Sequence, residues 1–131
     1  MKVLGVAVGG ALGALLRWWL GEVFPDDAGF PWTTFAINVT GAGVLAGLPA
    51  FAAVRRRPDL AAALGPGVLG GFTTLSAYSE QTRALLADEQ VATGAGYVLG
   101  TIAACLVVVT VVGRFTTPQA RDEFEAEGGV E

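Results

Sequence analysis

The chain contains no histidine, one cysteine, Cys105, and one methionine, at its first position. Without imidazoles, a zinc centre built on histidines and a Ser-His-Asp triad are both excluded, and a single thiol cannot make a disulfide framework. Charge is scarce as well: Asp, Glu, Lys and Arg make up 15% of the 131 residues, against 53% hydrophobic. Five of the twelve carboxylates are crowded into residues 121–131, beside one arginine, so the remaining chain is poorer still in charge. With a mean hydropathy of +0.56, the composition departs from that of a soluble domain and places the chain in a membrane. An enzyme is not expected, and a net charge of −4 gives no basis for binding nucleic acid.

What is present is apolar length. A bilayer core of about 30 Å takes about 20 apolar residues in helix. Residues 3–24, 30–54, 60–87 and 91–115 meet that requirement, separated by Pro25-Asp26-Asp27, by Arg55-Arg56-Arg57-Pro58-Asp59 and by Asp88-Glu89-Gln90. Lys2 ahead of the first stretch resembles the start of a signal peptide. The apolar run continues through Trp18, Trp19 and Leu20 with no small-residue cleavage site, so a retained span is expected. Residues 1–115 therefore read as one four-helix transmembrane domain, and residues 116–131 as an acidic, solvated and disordered cytoplasmic tail. Lys2, Arg55, Arg56, Arg57, Arg114 and Arg121 fall on one side of such a bundle and Arg83 on the other, which puts both termini in the cytoplasm of a cell membrane and favours one insertion direction.

The third stretch is unlike the others. Gly65, Pro66, Gly67, Gly70 and Gly71 interrupt its first half, and Thr73, Thr74, Ser76, Tyr78 and Ser79 crowd its second half. An unsatisfied polar group in hydrocarbon costs several kcal/mol, so such a segment belongs inside protein or along an aqueous path. Two half-helices meeting near residues 70–74 would free carbonyls for a small cation; a packing kink satisfied by neighbouring hydroxyls is the other reading.

Gly5, Gly9 and Gly13 share one face of the first stretch with Arg17, and Gly43 with Gly47, and Gly96 with Gly100, repeat the four-residue spacing of small residues that lets helices approach closely. Arg17, beside Trp18 and Trp19, is either an interfacial anchor or a buried structural and anion-attracting charge. Asn38 supplies an amide to the second stretch, as an interhelical hydrogen bond or as a pore group. Tyr97, Thr101 and Cys105, at i, i+4 and i+8, put two hydroxyls and a thiol on one face of the fourth, as an ion track or as helix glue. Amide, hydroxyl and aromatic groups with few fixed cations suit a small anion that accepts strong hydrogen bonds and must also leave again.

These residues carry a family resemblance. Residues 10–18, GALGALLRW, are similar to the GxxGAxxRY element of the Fluc fluoride channels, also called CrcB proteins; residues 34–41, TFAINVTG, resemble their TxxxNxxG element, and residues 70–79, GGFTTLSAYS, their GGxTTFSTFS element. The resemblance covers nearly the whole chain except the tail. It implies an all-α membrane protein of four transmembrane helices with a broken third helix, paired as an antiparallel, dual-topology dimer around a structural sodium ion, with passive fluoride export as its activity. It implies a pore along Asn38, Leu75, Ser76, Tyr78, Tyr97, Thr101 and Cys105, sodium on the carbonyls of Gly70 and Thr73, and a structural or electrostatic role for Arg17.

The departures matter too. Leu75 and Tyr78 replace two family phenylalanines, Ala77 a threonine, and Gln81 a frequent glutamate, with Glu80 one place earlier. An aliphatic Leu75 has no ring edge for fluoride, so a pore using it is expected to conduct poorly or not at all. The six-to-one bias of positive charge favours a single orientation, so a heterodimer with an oppositely oriented paralogue competes with a homodimer. Two rival functions stand beside the channel: a structural subunit whose own pore is inert, and a small multidrug exporter. The exporter needs an acidic residue within its first span, where this chain has only Glu22 at the end.

Overall fold

In the computed structural model, residues 2–26, 29–116 and 122 are described. Among them the chain is all helical, with no strand: α1 (Lys2–Val23), α2 (Trp32–Gly47) continued by a 3-10 turn (Leu48–Ala50), α3 (Ala52–Arg55), α4 (Pro58–Ala62), a π-helical stretch (Ala63–Leu69), α5 (Gly70–Phe72), α6 (Leu75–Ala87) and α7 (Val91–Gly113). Four helical stretches, Lys2–Val23, Trp32–Ala50, Pro58–Ala87 and Val91–Gly113, are long and apolar enough to cross a membrane. Apart from Thr116 and Asp122, the expected tail lies outside the described residues.

The ends of these stretches follow from prolines. Pro31 precedes α2 and Pro58 occupies the first turn of α4, the one place in a helix where a missing N–H costs nothing. Residues 51–54 do not extend the second span as the hydropathy suggested. Pro49 tightens its end into the 3-10 turn, Phe51 is extended at φ −90° and ψ 112°, and Ala52–Arg55 forms a separate turn. Arg55 holds that end, donating from Nη1 to the carbonyls of Pro49 at 2.8 Å and Ala50 at 3.2 Å, and Leu48, Val54, Ala61 and Leu69 form a small buried core beside it.

Gly65, Pro66 and Gly67 do not end the helical path of the third span. The chain widens into the π turn around Pro66, and the Gly70 N–H reaches back five residues to the Gly65 carbonyl. A π turn accommodates a residue with no donor of its own.

Glycine decides how α1 meets this stretch. A methyl group at Gly9 would overlap the Ala63 carbonyl oxygen and lie 3.2 Å from the Gly67 Cα; at Gly13 it would overlap the Val68 carbonyl, and at Gly71 the Gly10 carbonyl. Backbone therefore rests on backbone along this seam, as close-packed small residues allow in a membrane. Gly43 and Gly47 face Val108 and Val112 of α7. Gly96 and Gly100, expected to pack in the same manner, meet nothing within 4 Å in this chain.

Gly71→Ala is expected to lower the thermal stability of the purified protein by about 1–3 kcal/mol, the usual cost of forcing atoms into a filled contact. Equal melting temperatures for Gly71→Ala and the parent would show that the seam is not closely packed.

Candidate functional site: a clamped interruption between two cavities

Helix α5 stops at Phe72, and the next two residues are extended: Thr73 at φ −74°, ψ 157° and Thr74 at φ −147°, ψ 120°. Local chemistry favours this. The Thr73 hydroxyl donates back to the Leu69 carbonyl at 2.9 Å, and the Thr74 hydroxyl caps α6 by accepting the Ala77 N–H at 3.1 Å. Asn38 on α2 completes the arrangement: its Oδ1 accepts the Thr74 N–H at 2.8 Å and its Nδ2 donates to the Thr74 carbonyl at 3.1 Å. A side-chain amide thus takes the place of a peptide group and satisfies both polar atoms of one residue.

The same bonds divert two donors. In a continuous helix the Thr74 N–H would serve the Gly70 carbonyl and the Ala77 N–H the Thr73 carbonyl, but here Asn38 and the Thr74 hydroxyl hold them. Gly70 and Thr73 are the two residues whose carbonyls were expected around sodium from the resemblance of residues 70–79. No group of three His, Cys, Asp or Glu side chains that could hold a metal occurs among the described residues.

On one side of the interruption lies a cavity of about 370 Å³ lined by Asn38, Thr73, Thr74, Leu75, Tyr78, Thr101, Ile102, Cys105 and Leu106. Five expected pore residues, Asn38, Leu75, Tyr78, Thr101 and Cys105, therefore meet there. Ser76 is one contact away, its Oγ 3.2 Å from that of Thr74. Tyr97 does not line the cavity. It is fully buried, its ring centroid 5.1 Å from that of Tyr78 and 5.3 Å from that of Phe30, which it meets edge on. Two hydroxyl protons are committed to backbone, Thr101 donating to the Tyr97 carbonyl at 2.6 Å and Tyr78 to the Val98 carbonyl at 3.2 Å. Leu75 is 76% exposed, Leu106 63% and Ile102 51%, so the outer flank of this cavity is open.

A second cavity, also about 370 Å³, has Arg17, Trp18, Glu22, Asp26, Thr34, Thr74 and Gln81 in its lining. Half-buried Arg17 donates from Nε to the Gly71 carbonyl at 3.2 Å, which ties a charge of the first span to the last turn before the interruption. Trp18 and Trp19 remain exposed beside it. Asp26, Thr34 and Gln81 lie outside the set expected from the sequence, yet they form the densest polar cluster of the described residues. Asp26 Oδ1 accepts the Thr33 N–H at 2.7 Å, and its Oδ2 accepts the Thr34 N–H at 3.1 Å, the Thr34 hydroxyl at 2.9 Å and Gln81 Nε2 at 3.1 Å. Gln81 Nε2 also donates to Thr34 Oγ1 at 2.9 Å, and Gln81 Oε1 accepts the Tyr97 hydroxyl at 2.8 Å. The signal in the sequence was an aspartate shortly before a helix start, where a carboxylate caps free N–H groups.

The family model described as CrcB-like protein, Camphor Resistance (CrcB), matches residues 4–114. The chain belongs to the CrcB-like family. Among curated CrcB-like relatives it is similar to the "Fluoride-specific ion channel FluC 2" of Nocardia farcinica, 42% identical over 91% of this chain and 89% of that protein. It is also similar to the "Fluoride-specific ion channel FluC" of Novosphingobium aromaticivorans, 44% identical over 76% of this chain and 82% of that one, and to "FluC 1" of Streptomyces coelicolor, 41% identical over 79% and 70%. These relatives carry the names of channels, not of enzymes.

Asn38→Ala leaves both polar atoms of Thr74 without their partner, at a cost of about 1–3 kcal/mol. Amide hydrogen exchange over residues 73–77 should accelerate in that variant relative to the parent. Unchanged exchange there would remove Asn38 as the clamp.

Proposed function

We propose that the chain is a subunit of a fluoride-selective channel that lets cytoplasmic fluoride leave passively, and that it works as an antiparallel dimer. The observation that carries this reading is the meeting of Asn38, Tyr78, Thr101 and Cys105 in one cavity against extended Thr73 and Thr74, in a chain whose relatives are named fluoride-specific channels. Amide and aromatic edges replace the water of a small, strongly hydrogen-bonding anion without the fixed charge that would trap it.

A second subunit accounts for the surfaces that one chain leaves open. The cavity flank at Leu75, Ile102 and Leu106 is exposed, and the Gly96 and Gly100 face of α7 is bare. A groove open to acyl chains does not pass an anion, so a protein wall must close it. An oppositely oriented copy or paralogue supplies that wall, and with it a symmetric break in each third span.

The diverted donors of Gly70 and Thr73 fit a structural cation. Their carbonyls have the oxygen chemistry that a sodium ion takes, and each subunit would contribute two. The ion would supply a fixed positive charge tying the interruptions together, while Asn38 holds the backbone in the conformation that exposes those oxygens.

Hydrogen fluoride is neutral, crosses membranes and ionises inside a neutral cytoplasm, so a cell in weakly acidic surroundings accumulates fluoride. A passive pathway suffices to remove it, because the membrane potential supplies about 2.3 kcal/mol per charge per 100 mV. In the orientation that the positive loops favour, this chain has both termini on the cytoplasmic side, with Lys2, Arg55, Arg56, Arg57 and Arg114, and its oppositely oriented partner has its termini outside.

One observation favours a second reading, a subunit that completes a partner's dimer while its own lane is inert. Leu75 brings an aliphatic side chain to the cavity, and the Tyr78 and Thr101 hydroxyls donate to backbone.

Liposomes bearing the purified chain should release fluoride and not chloride when potassium and valinomycin clamp the potential, and release should fall when sodium is replaced. Leu75→Phe should raise the rate if both lanes conduct. Fluoride retention by the chain alone and by the chain with its paralogue would overturn the channel reading; release only with the paralogue, unaffected by loss of Asn38 and Tyr78, would establish the inert subunit.

A further inference from the structure

The cluster of Asp26, Thr34, Gln81 and Tyr97 has a direction. A carboxylate only accepts hydrogen bonds, so the Thr34 hydroxyl donates to Asp26 and not the reverse. Gln81 Nε2 then has its two hydrogens engaged, one on Asp26 Oδ2 and one on Thr34 Oγ1. The remaining atom of the amide, Oε1, is an acceptor, and it faces the Tyr97 hydroxyl at 2.8 Å. Each donor in the chain is therefore fixed by the one before it, back to a single carboxylate that two N–H groups of the first turn of α2 hold in place.

We infer that Asp26 is a positioning residue for the ion pathway: by fixing the Gln81 amide it aims the Tyr97 hydroxyl proton away from the cavity of Tyr78, Thr101 and Cys105. This deepens the channel reading and rests on it for its functional consequence, though not for its structural one. Amide oxygen and nitrogen are nearly the same size, so nothing steric prevents Gln81 from turning over. Without a carboxylate at position 26, the turned amide would accept from Thr34 and donate to the Tyr97 oxygen, and the Tyr97 proton would be released. Tyr97 is buried, and its ring packs against that of Tyr78, which lines the cavity, so a change at the Tyr97 hydroxyl reaches the pathway through that ring. A displaced Tyr78 ring presents its edge less favourably to a passing anion and slows permeation.

Transposing the charge tests this. In Asp26→Asn the remaining oxygen keeps the Thr33 N–H, so α2 retains one of its two cap bonds, while the new amide nitrogen, in the place of Oδ2, donates to Gln81 and forces it over. Fluoride efflux is expected to fall about tenfold, the equivalent of one hydrogen bond. Gln81→Glu alone sets two carboxylates against each other and should also slow efflux. The double variant Asp26→Asn with Gln81→Glu restores an acceptor opposite Tyr97 and a donor opposite position 81, and should return efflux to within about twofold of the parent.

A second readout needs no transport. The chain has two tyrosines, Tyr78 and Tyr97, so ring-labelled protein in nanodiscs gives two phenol carbon resonances, assigned with Tyr78→Phe. The Tyr97 resonance should move in Asp26→Asn and return in the double variant. A resonance that stays fixed in Asp26→Asn, or a double variant no better than either single one in both measurements, overturns the inference. A resonance that moves and returns in a protein that passes no fluoride, alone or with its oppositely oriented partner, supports the relay and rejects the channel reading instead.

Discussion

A polypeptide in hydrocarbon has nowhere to leave an N–H or a carbonyl, and the interruption at Thr73 and Thr74 exists because one amide from another helix answers both polar atoms of Thr74. The remaining features of the site depend on that exchange. With Thr74 held by Asn38, the Thr74 hydroxyl is free to start α6 on Ala77, the carbonyls of Gly70 and Thr73 lose their helical donors, and the residues of α6 take the register that brings Leu75 and Tyr78 to the same cavity as Thr101 and Cys105. Arg17 secures the preceding turn through the Gly71 carbonyl, so the interruption is held from two spans at once.

The glycine seam serves the same end. Arg17 reaches Gly71 with its Nε because nothing lies between α1 and the third span: at Gly9, Gly13 and Gly71 even a methyl would meet backbone. A wider separation would leave that carbonyl beyond the guanidinium. Close approach and polar satisfaction are thus one requirement, and it explains why small residues and a half-buried arginine share a face of α1.

Much of this was legible in the residues. Four apolar stretches, the polar and glycine-rich third, the amide at position 38 and the small-residue face of α1 follow from composition and spacing, because membrane depth punishes polar groups so heavily that their positions carry information. Two half-helices meeting near residues 70–74 were expected from the sequence, and Thr73 and Thr74 are the extended residues there; less legible was that the glycines and proline at residues 65–67 are absorbed as a wide turn. Gly96 and Gly100 follow the packing pattern without packing within the chain, since spacing says that a helix can approach and not which chain it belongs to. Asp26 read as part of a loop; its link to Gln81, 55 residues on, is a tertiary fact that no local pattern encodes.

The clamp also orders assembly in time. Asn38 precedes Thr74 by 36 residues, so during synthesis the second span is already in the bilayer when the third emerges, and the amide waits for the peptide group it will serve. Were the spans made in the opposite order, residues 73 and 74 would enter the membrane with no partner and close into ordinary helix, hiding the carbonyls that the finished protein keeps open.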